Sequence, residues 1–561
     1  MATVDIKKKD LERLFQKRLT RSHLEEYLSL AKAELKEYNI ETDSLKIELS
    51  DSNRPDLWSV EGIARQMRTH LSGNPVNYPF FGMRKKHLRE IKVSSEIKQV
   101  RPYIAACAVL GLRMNEDFLV QIIQSQDKLS EIFGRKRRMV SVGIYELDRI
   151  LFPVNYMLAE PDRVSFIPLG MDKRMNLKEV LERHPKGITY GSIVSNFKKY
   201  PLLIDSNAQV LSFPPIINSR EIGEVKTETK NIFVEVTGID LRMVNLAINI
   251  LSVNLHDRGA KIEPVLISYL YQTEFGKKIT TPFSMVEPVK ISTREFTKTL
   301  GEEVSPLEIR KCLVRYGHNV SVGRSSITVS YPPYRDDIMH PVDIIEDMAI
   351  SKGYSSFKPE MPHQSTVGGL SETELFSDLV RDYLVGAGFQ EIVSNILGSP
   401  EEFRERMCID EKLIEIENVM SRSYSVVRNR ILPSLLKVET ASSKSFYPHR
   451  VFEVGEVVIY DPLQNLGSQT RLNLGALISH PAVSFSEIHS YLDLLFFYLG
   501  ISYRLEPEEH PAFMPGRCGN IIVEEKALGL IGEVNPAVLD HWQITMPCSA
   551  FEINLDTLST F

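Results

Sequence analysis

The densest set of chemically able groups in the chain is "YPPYRDDIMHPVDIIEDMAI", Tyr331 to Ile350. Asp337, Asp343, Glu346 and Asp347 fall within eleven residues there, a density that could hold a metal ion. The last three are spaced i, i+3, i+4 and share one helical face, because a 3.6-residue turn stacks those positions. Ile344, Ile345 and Met348 fall on other sides and are free to be buried. Any amphipathic surface helix has the same pattern. Pattern alone therefore leaves both a metal site and a solvated face standing.

A second group of residues lies upstream. In "IFVEVTGID" the period of two puts Phe233, Glu235 and Thr237 on one face and Val234 and Val236 on the other. A carboxylate beside a hydroxyl on one strand face reads first as a solvent face. In "LLIDSNAQVLSFPPIINS" two prolines precede an apolar pair and then Asn218 and Ser219. Prolines leave backbone groups unpaired, so this stretch offers them to a ligand. Two basic clusters, "MRKKHLRE" at 83–90 and "GRKRRM" at 134–139, read as solvated loops or as phosphate contacts. No G-x-x-x-x-G-K-[ST], no G-x-G-x-x-G after a strand, no H-E-x-x-H and no G-x-S-x-G occurs, so no self-contained catalyst is announced.

The elements that must position these groups follow from the rest of the chain. Its 561 residues exceed one core, and about three to five domains are expected. Composition is that of a globular protein, 43% hydrophobic and 25% charged, and the net charge of -6 means that a nucleic acid must meet a local basic patch. Five scattered cysteines without a C-x-x-C pair argue against a zinc site or disulfide framework and fit a reducing cytoplasm. No signal-like start and no membrane segment is expected.

Residues 1–92 read as helix, strand, turn, helix. The first helix, "SHLEEYLSLAKAELKE", is expected to open on a capping box from Ser22 to Glu25. "DSNRPDL" reads as the turn, and "SVEGIARQMRTHLSG" as a helix stopped at Gly73. Residues 93–284 mix short strands with a few helices, among them "NLKEVLERHPKG" capped by Asn176. Residues 285–360 read as helix, helix, hairpin, helix, a winged-helix-like order, with Ser305 and Glu308 forming a capping box. "FKPEMPHQSTVGG" reads as a linker, and 361–561 as an α+β domain on a largely antiparallel sheet.

Four stretches carry a resemblance: "SDSNRPDLWSVEGIARQMR", "YPLLIDSNAQVLSFPPIINSREIGEVKTETKNIFVEVTGID", "YPPYRDDIMHPVDIIEDMAISKGY" and "GRCGNIIVEEKALGLIGEVNPAVLDHW". In this order they resemble the β subunit of phenylalanyl-tRNA synthetase in its shorter archaeal/eukaryotic-type form. The resemblance implies a multidomain α+β chain. It would have a mixed α/β tRNA-editing domain at 93–284, a winged-helix-like domain at 285–360 and a class II synthetase-like domain at 361–561 that lacks its active site. Arg428 and Arg430 would be relics of a motif or interface residues. The implied assembly is an α2β2 heterotetramer in the cytoplasm that charges phenylalanine tRNA with ATP, the α subunit doing the activation and transfer. Asp337, Asp343, Glu346 and Asp347 would hold a magnesium ion shared with α. Leu203, Ser212, Asn218, Glu235 and Thr237 would line a pocket that hydrolyses mischarged tyrosyl-tRNA, with Glu235 and Thr237 catalytic. Arg135, Lys136, Arg137 and Arg138 would hold the tRNA end by its phosphates. The rival readings are a stand-alone metal-dependent hydrolase, which would work without a partner, and a winged-helix nucleic-acid-binding regulator. The second is disfavoured by the few basic residues of "VSPLEIRKCLVRYGHNV".

Overall fold

Apolar alternation in "ATVDIK", "AELKEYN" and "SLKIEL" builds a three-stranded antiparallel sheet, with Ser44–Leu49 between Ala2–Lys7 and Ala33–Asn39. In the computed structural model the described residues are 2–50, 53–83, 88–362 and 366–561. Residues 51–52 of the expected turn, 84–87 of the first basic cluster and 363–365 of the expected linker lie outside them. The chain divides into two compact units, Met1–Glu360 and Met361–Phe561.

The expected helix over 22–37 is corrected. The helix spans Arg21–Leu28, its cap is the Thr20 side chain, and the chain leaves it at Lys32 with φ 49°. The helical pattern of 33–37 loses to strand pairing, because Ala33, Leu35 and Tyr38 lie opposite Leu49, Ile47 and Leu45. The helix Val60–Ser72 forms as its spacing requires. Ser59 caps it, Gly73 closes it at φ 64°, and Val60, Ile63, Ala64 and Met67 are buried.

Between residues 89 and 281 ten strands form one sheet, and Ser165–Phe166 pairs separately with Met175–Asn176. Strand Ile232–Gly238 lies second from one edge, between Tyr103–Leu110 and the edge strand Val140–Glu146. The other edge is Val210–Phe213 followed by Ile217–Asn218. Both faces are covered, one by the seventeen-residue helix Leu241–Asp257. Ile232–Gly238 is therefore buried throughout, which overturns the solvent-face reading of Glu235 and Thr237. The expected cap at Asn176 forms a full capping box with Glu179.

Residues 289–352 add a strand to the expected order. Val289–Ser292 pairs with Ser326–Ser330, which pairs with Asn319–Val322, and three helices pack on this sheet. Ser305 accepts the Glu308 N–H, while Glu308 itself reaches Lys352. A buried charge network ties this module to residues near the N-terminus. Arg335 binds Asp337 and Asp347, the latter at 2.6 Å, and His318 Nε2 lies 2.7 Å from Asp347. Arg54, clamped to Asp56 at 2.8 Å, stands 3.8 Å from Asp337.

In the second unit a seven-stranded sheet runs from Gln390–Glu391 to Arg504–Pro507, antiparallel apart from the pairing of Gln390–Glu391 with His449–Tyr460. Helices Glu372–Gly386 and Phe485–Leu499 pack with one core of this unit, and Leu432–Ser442 with another. Arg428 is buried and paired with Glu453 at 2.7 Å, so it is a structural residue of this unit. No helix among the described residues is long and apolar enough to cross a membrane.

The charge network makes a checkable prediction. Asp347→Ala strips Arg335 and His318 of a buried partner and should cost about 3–5 kcal/mol. Asp343→Ala removes only a helix cap and should cost about 1 kcal/mol. Urea unfolding of the two variants against wild type measures the difference, and equal losses would refute it.

Candidate functional site

Closure of the ten-stranded sheet creates the site. Its two edges approach each other: Asn218 Nδ2 donates to the Ile144 carbonyl at 3.1 Å, and the Tyr145 and Ser212 hydroxyls lie 2.8 Å apart. At this seam opens a cavity of about 240 Å³, walled by helix Glu116–Lys128, the edge strand and the Phe213–Asn218 turn.

Glu235, Ser212, Asn218 and Arg137 line the cavity. Glu235 is 2% exposed. Its Oε1 accepts the Tyr145 hydroxyl at 2.8 Å, while Oε2 is buried without a partner. Burial pushes this carboxyl up to about 7, against the Tyr145 hydrogen bond and the Arg101 charge, which pull it down. Small neighbours make the space: Glu235 lies opposite Ala106 on one side and Gly143 on the other. A Cβ at Gly143 would overlap the Tyr145 hydroxyl and Glu235 Oε1.

Two expected pocket residues stand behind the wall. Leu203 is buried opposite Ser212, and Thr237 is fully buried one pleat from Glu235. Thr237 belongs to a group organised by Arg101, which the sequence reading missed. Arg101 donates to Thr237 Oγ1 at 3.0 Å, the Thr237 carbonyl at 2.7 Å and Ser141 Oγ at 3.0 Å. It also donates to the carbonyls of Arg137 and Arg138, both at 3.2 Å.

Those two carbonyls belong to the basic turn. Arg135, Lys136 and Arg137 all take positive φ, 49°, 55° and 65°. Such a run costs about 1–2 kcal/mol per residue and needs outside support. The turn separates its four cations. Arg135, Lys136 and Arg138 face solvent, but Arg137 is buried, which corrects its reading as a phosphate contact. Its guanidinium donates to the carbonyls of Pro215 and Ile216 at 3.2 and 3.1 Å and stacks on Tyr190. Those carbonyls, expected to be open to a ligand, are thus occupied. Tyr145 was missed as well. The strand glycine Gly143 was the available signal, since a glycine inside a strand marks close approach.

The four acids of 337–347 do not converge. Asp337 and Asp347 point at Arg335. Asp343 accepts the N–H groups of Met339 and His340 at 2.8 and 2.7 Å, capping helix Pro341–Lys352, and Glu346 pairs with Lys32 at 2.7 Å. Among the described residues no group of three or more His, Cys, Asp or Glu is arranged to hold a metal. The residues of this chain therefore do not fit a four-carboxylate magnesium site. The helix over Pro341–Lys352 forms, but its acidic face is not simply solvated: Asp347 is buried, while Glu346 is exposed, and Ile344, Ile345 and Met348 are buried as expected.

Comparison with known proteins places this geometry in a family. Residues 289–354 match the tRNA synthetase B5 domain, and residues 358–555 match the phenylalanyl tRNA synthetase beta chain CLM domain. The chain is 41% identical over 563 aligned residues to the phenylalanine–tRNA ligase beta subunit of Borrelia recurrentis, with 100% of each covered. It is 40% identical to that of Borrelia duttonii at the same coverage. A crystal structure of an N-terminal fragment of the phenylalanyl-tRNA synthetase beta-subunit from Pyrococcus horikoshii is 39% identical, with a TM-score of 0.58, covering 63% of this chain and 100% of the fragment. The Borrelia relatives are bacterial, and do not establish the archaeal/eukaryotic-type form that the resemblance implied. At this identity and coverage the chain belongs to the phenylalanine–tRNA ligase beta subunit family.

Proposed function

We propose that the seam cavity is a hydrolytic editing site for tyrosine wrongly esterified to phenylalanine tRNA, in a short β subunit of the archaeal/eukaryotic-type form. One observation carries this reading: a buried carboxylate, Glu235, lines a cavity of about 240 Å³ and keeps one oxygen without a partner. The need is physical. Tyrosine adds only a hydroxyl to phenylalanine, and an apolar pocket rejects such an analogue by about a hundredfold at best. A second pocket can select for that hydroxyl by hydrogen-bonding it. In the reaction a water oxygen adds to the ester carbonyl and the bond to the ribose oxygen breaks, which releases tyrosine and the ribose hydroxyl. The ester is labile, so positioning a water suffices without a nucleophilic side chain. Glu235 serves as acceptor or water-orienting group, and Thr237, bonded to Arg101, holds the floor of the strand. Arg135, Lys136 and Arg138 bind the phosphates of the tRNA end.

The chain works with an α subunit in an α2β2 heterotetramer, in the cytoplasm, where α activates phenylalanine with ATP. The four units of this reading follow the sequence boundaries 1–92, 93–284, 285–360 and 361–561. Magnesium used by the complex would be held mainly by groups outside this chain, because Asp337, Asp343, Glu346 and Asp347 each already have a partner here.

Four outcomes test this. The α–β complex should deacylate preformed tyrosyl-tRNA, and Glu235→Ala should lose most of that rate. Equal rates would remove Glu235 from the site. The active form of Glu235 is the carboxylate, so the rate should rise with pH through about 7 and fall below it. Replacing Arg135, Lys136 and Arg138 together with alanine should raise KM for tRNA and flatten its log–log salt dependence by roughly two to three. An unchanged slope would assign the phosphate contacts elsewhere. Finally, EDTA should leave the thermal transition of the isolated chain unchanged. A lowered transition would show a metal site closed within this chain.

A further inference from the structure

We infer that Tyr145 is a positioning residue of the cavity, one that fixes Glu235 Oε2 as the acceptor presented to a ligand hydroxyl. The inference rests on the editing reading above and adds a specificity determinant to it.

Tyr145 itself does not line the cavity; Glu235 and Ser212 do. Its hydroxyl lies 2.8 Å from both Glu235 Oε1 and Ser212 Oγ. A phenol carries one proton, and an ionised carboxylate can only accept, so that proton goes to Oε1. Ser212 then donates to the phenol oxygen. One carboxylate oxygen is thereby occupied from behind the wall, and the other, Oε2, remains buried and unpaired. Tyr145 thus occupies for Oε1 the role that a substrate hydroxyl would take at Oε2. The arrangement needs Gly143, where any side chain would overlap both partners. It also needs the seam, because Ser212 comes from the opposite edge of the sheet.

The same contact bears on charge. The Tyr145 hydrogen bond lowers the Glu235 carboxyl against burial, as the Arg101 charge does. Tyr156 faces the same carboxylate from strand Val154–Ala159, and Arg137 faces the cavity from the basic turn. Asp127, Lys186 and Glu224 also line the cavity. Removing the phenol proton takes away one lowering influence, so the carboxyl titrates at higher pH.

The test is Tyr145→Phe in the α–β complex, with tyrosyl-tRNA and phenylalanyl-tRNA as the two substrates across pH. Selectivity for the tyrosyl ester should fall by about tenfold, the loss of one hydrogen bond to a charged group. The acid limb of the rate profile should move to higher pH. A merely structural role would lower both rates together and leave the limb in place, which overturns the inference. Thermal transitions of variant and wild type report folding. Should Tyr145→Phe fold poorly, Ser212→Ala loosens the same phenol from its other side, and should shift selectivity in the same direction; an unchanged ratio overturns the role. A wild-type complex that leaves tyrosyl-tRNA intact overturns the editing reading itself. A wild type that deacylates it, with an unchanged Tyr145→Phe, overturns the role of Tyr145 alone.

Discussion

A guanidinium taken wholly out of water must find an acceptor for each N–H group, because an orphaned charged donor costs several kcal/mol. Arg101 meets this with five acceptors from three places in the chain: the Thr237 hydroxyl and carbonyl, the Ser141 hydroxyl, and the carbonyls of Arg137 and Arg138. Much of the site follows from that single constraint. Strand Ile232–Gly238 is held in place beside the edge strand, and the left-handed turn at 135–137 gains the outside support that its backbone requires. The same turn then faces Arg137 inward, onto the Pro215 and Ile216 carbonyls, and leaves its three remaining cations outside. The floor of the cavity, its cationic approach and one of its walls thus share one buried charge.

Carboxylates of like chemistry reach opposite states in this chain. Asp347 is as buried as Glu235, yet Arg335 and His318 hold it far below the usual carboxylate range, while burial alone dominates at Glu235 and raises it. Pairing makes Asp347 a fixed structural charge, silent toward ligands. Lack of a cationic contact leaves Glu235 able to change state near neutrality and able to accept one more hydrogen bond. Burial marks both residues; only the partners separate structure from chemistry.

Local rules determined much of this protein. Ser59, Asn176 and Ser305 cap the helices that their positions announce, and Gly73 ends one, since these signals act within a turn of the residue that carries them. Apolar spacing likewise placed Ile344, Ile345 and Met348 in the core. Dispersed motifs carried the family across the full chain, although neither length nor pattern contains a tRNA or a partner subunit. The helix expected through residue 37 marks the limit: helical propensity at 33–37 yields to a sheet whose other strands lie at 2–7 and 44–49.

Tertiary structure decided the rest, because the deciding contacts join residues far apart in sequence. Glu235 and Thr237 look like a wet strand face until the curled sheet brings Tyr156, Leu203 and Ser212 over it and Arg101 onto Thr237. Helix Leu241–Asp257 covers the opposite face, that of Val234 and Val236. Arg137 is indistinguishable from Arg138 in "GRKRRM", and only a turn with three positive φ angles sends one inward and the other out. Asp347 shares a helical face with Asp343 by spacing, but Arg335 and His318 arrive from elsewhere and claim it. Tyr145 acquires its meaning from Ser212, sixty-seven residues away, once the sheet curls far enough for its edges to meet. Periodicity sees neighbours within one element, whereas a buried hydrogen bond is set by whichever elements happen to close upon it.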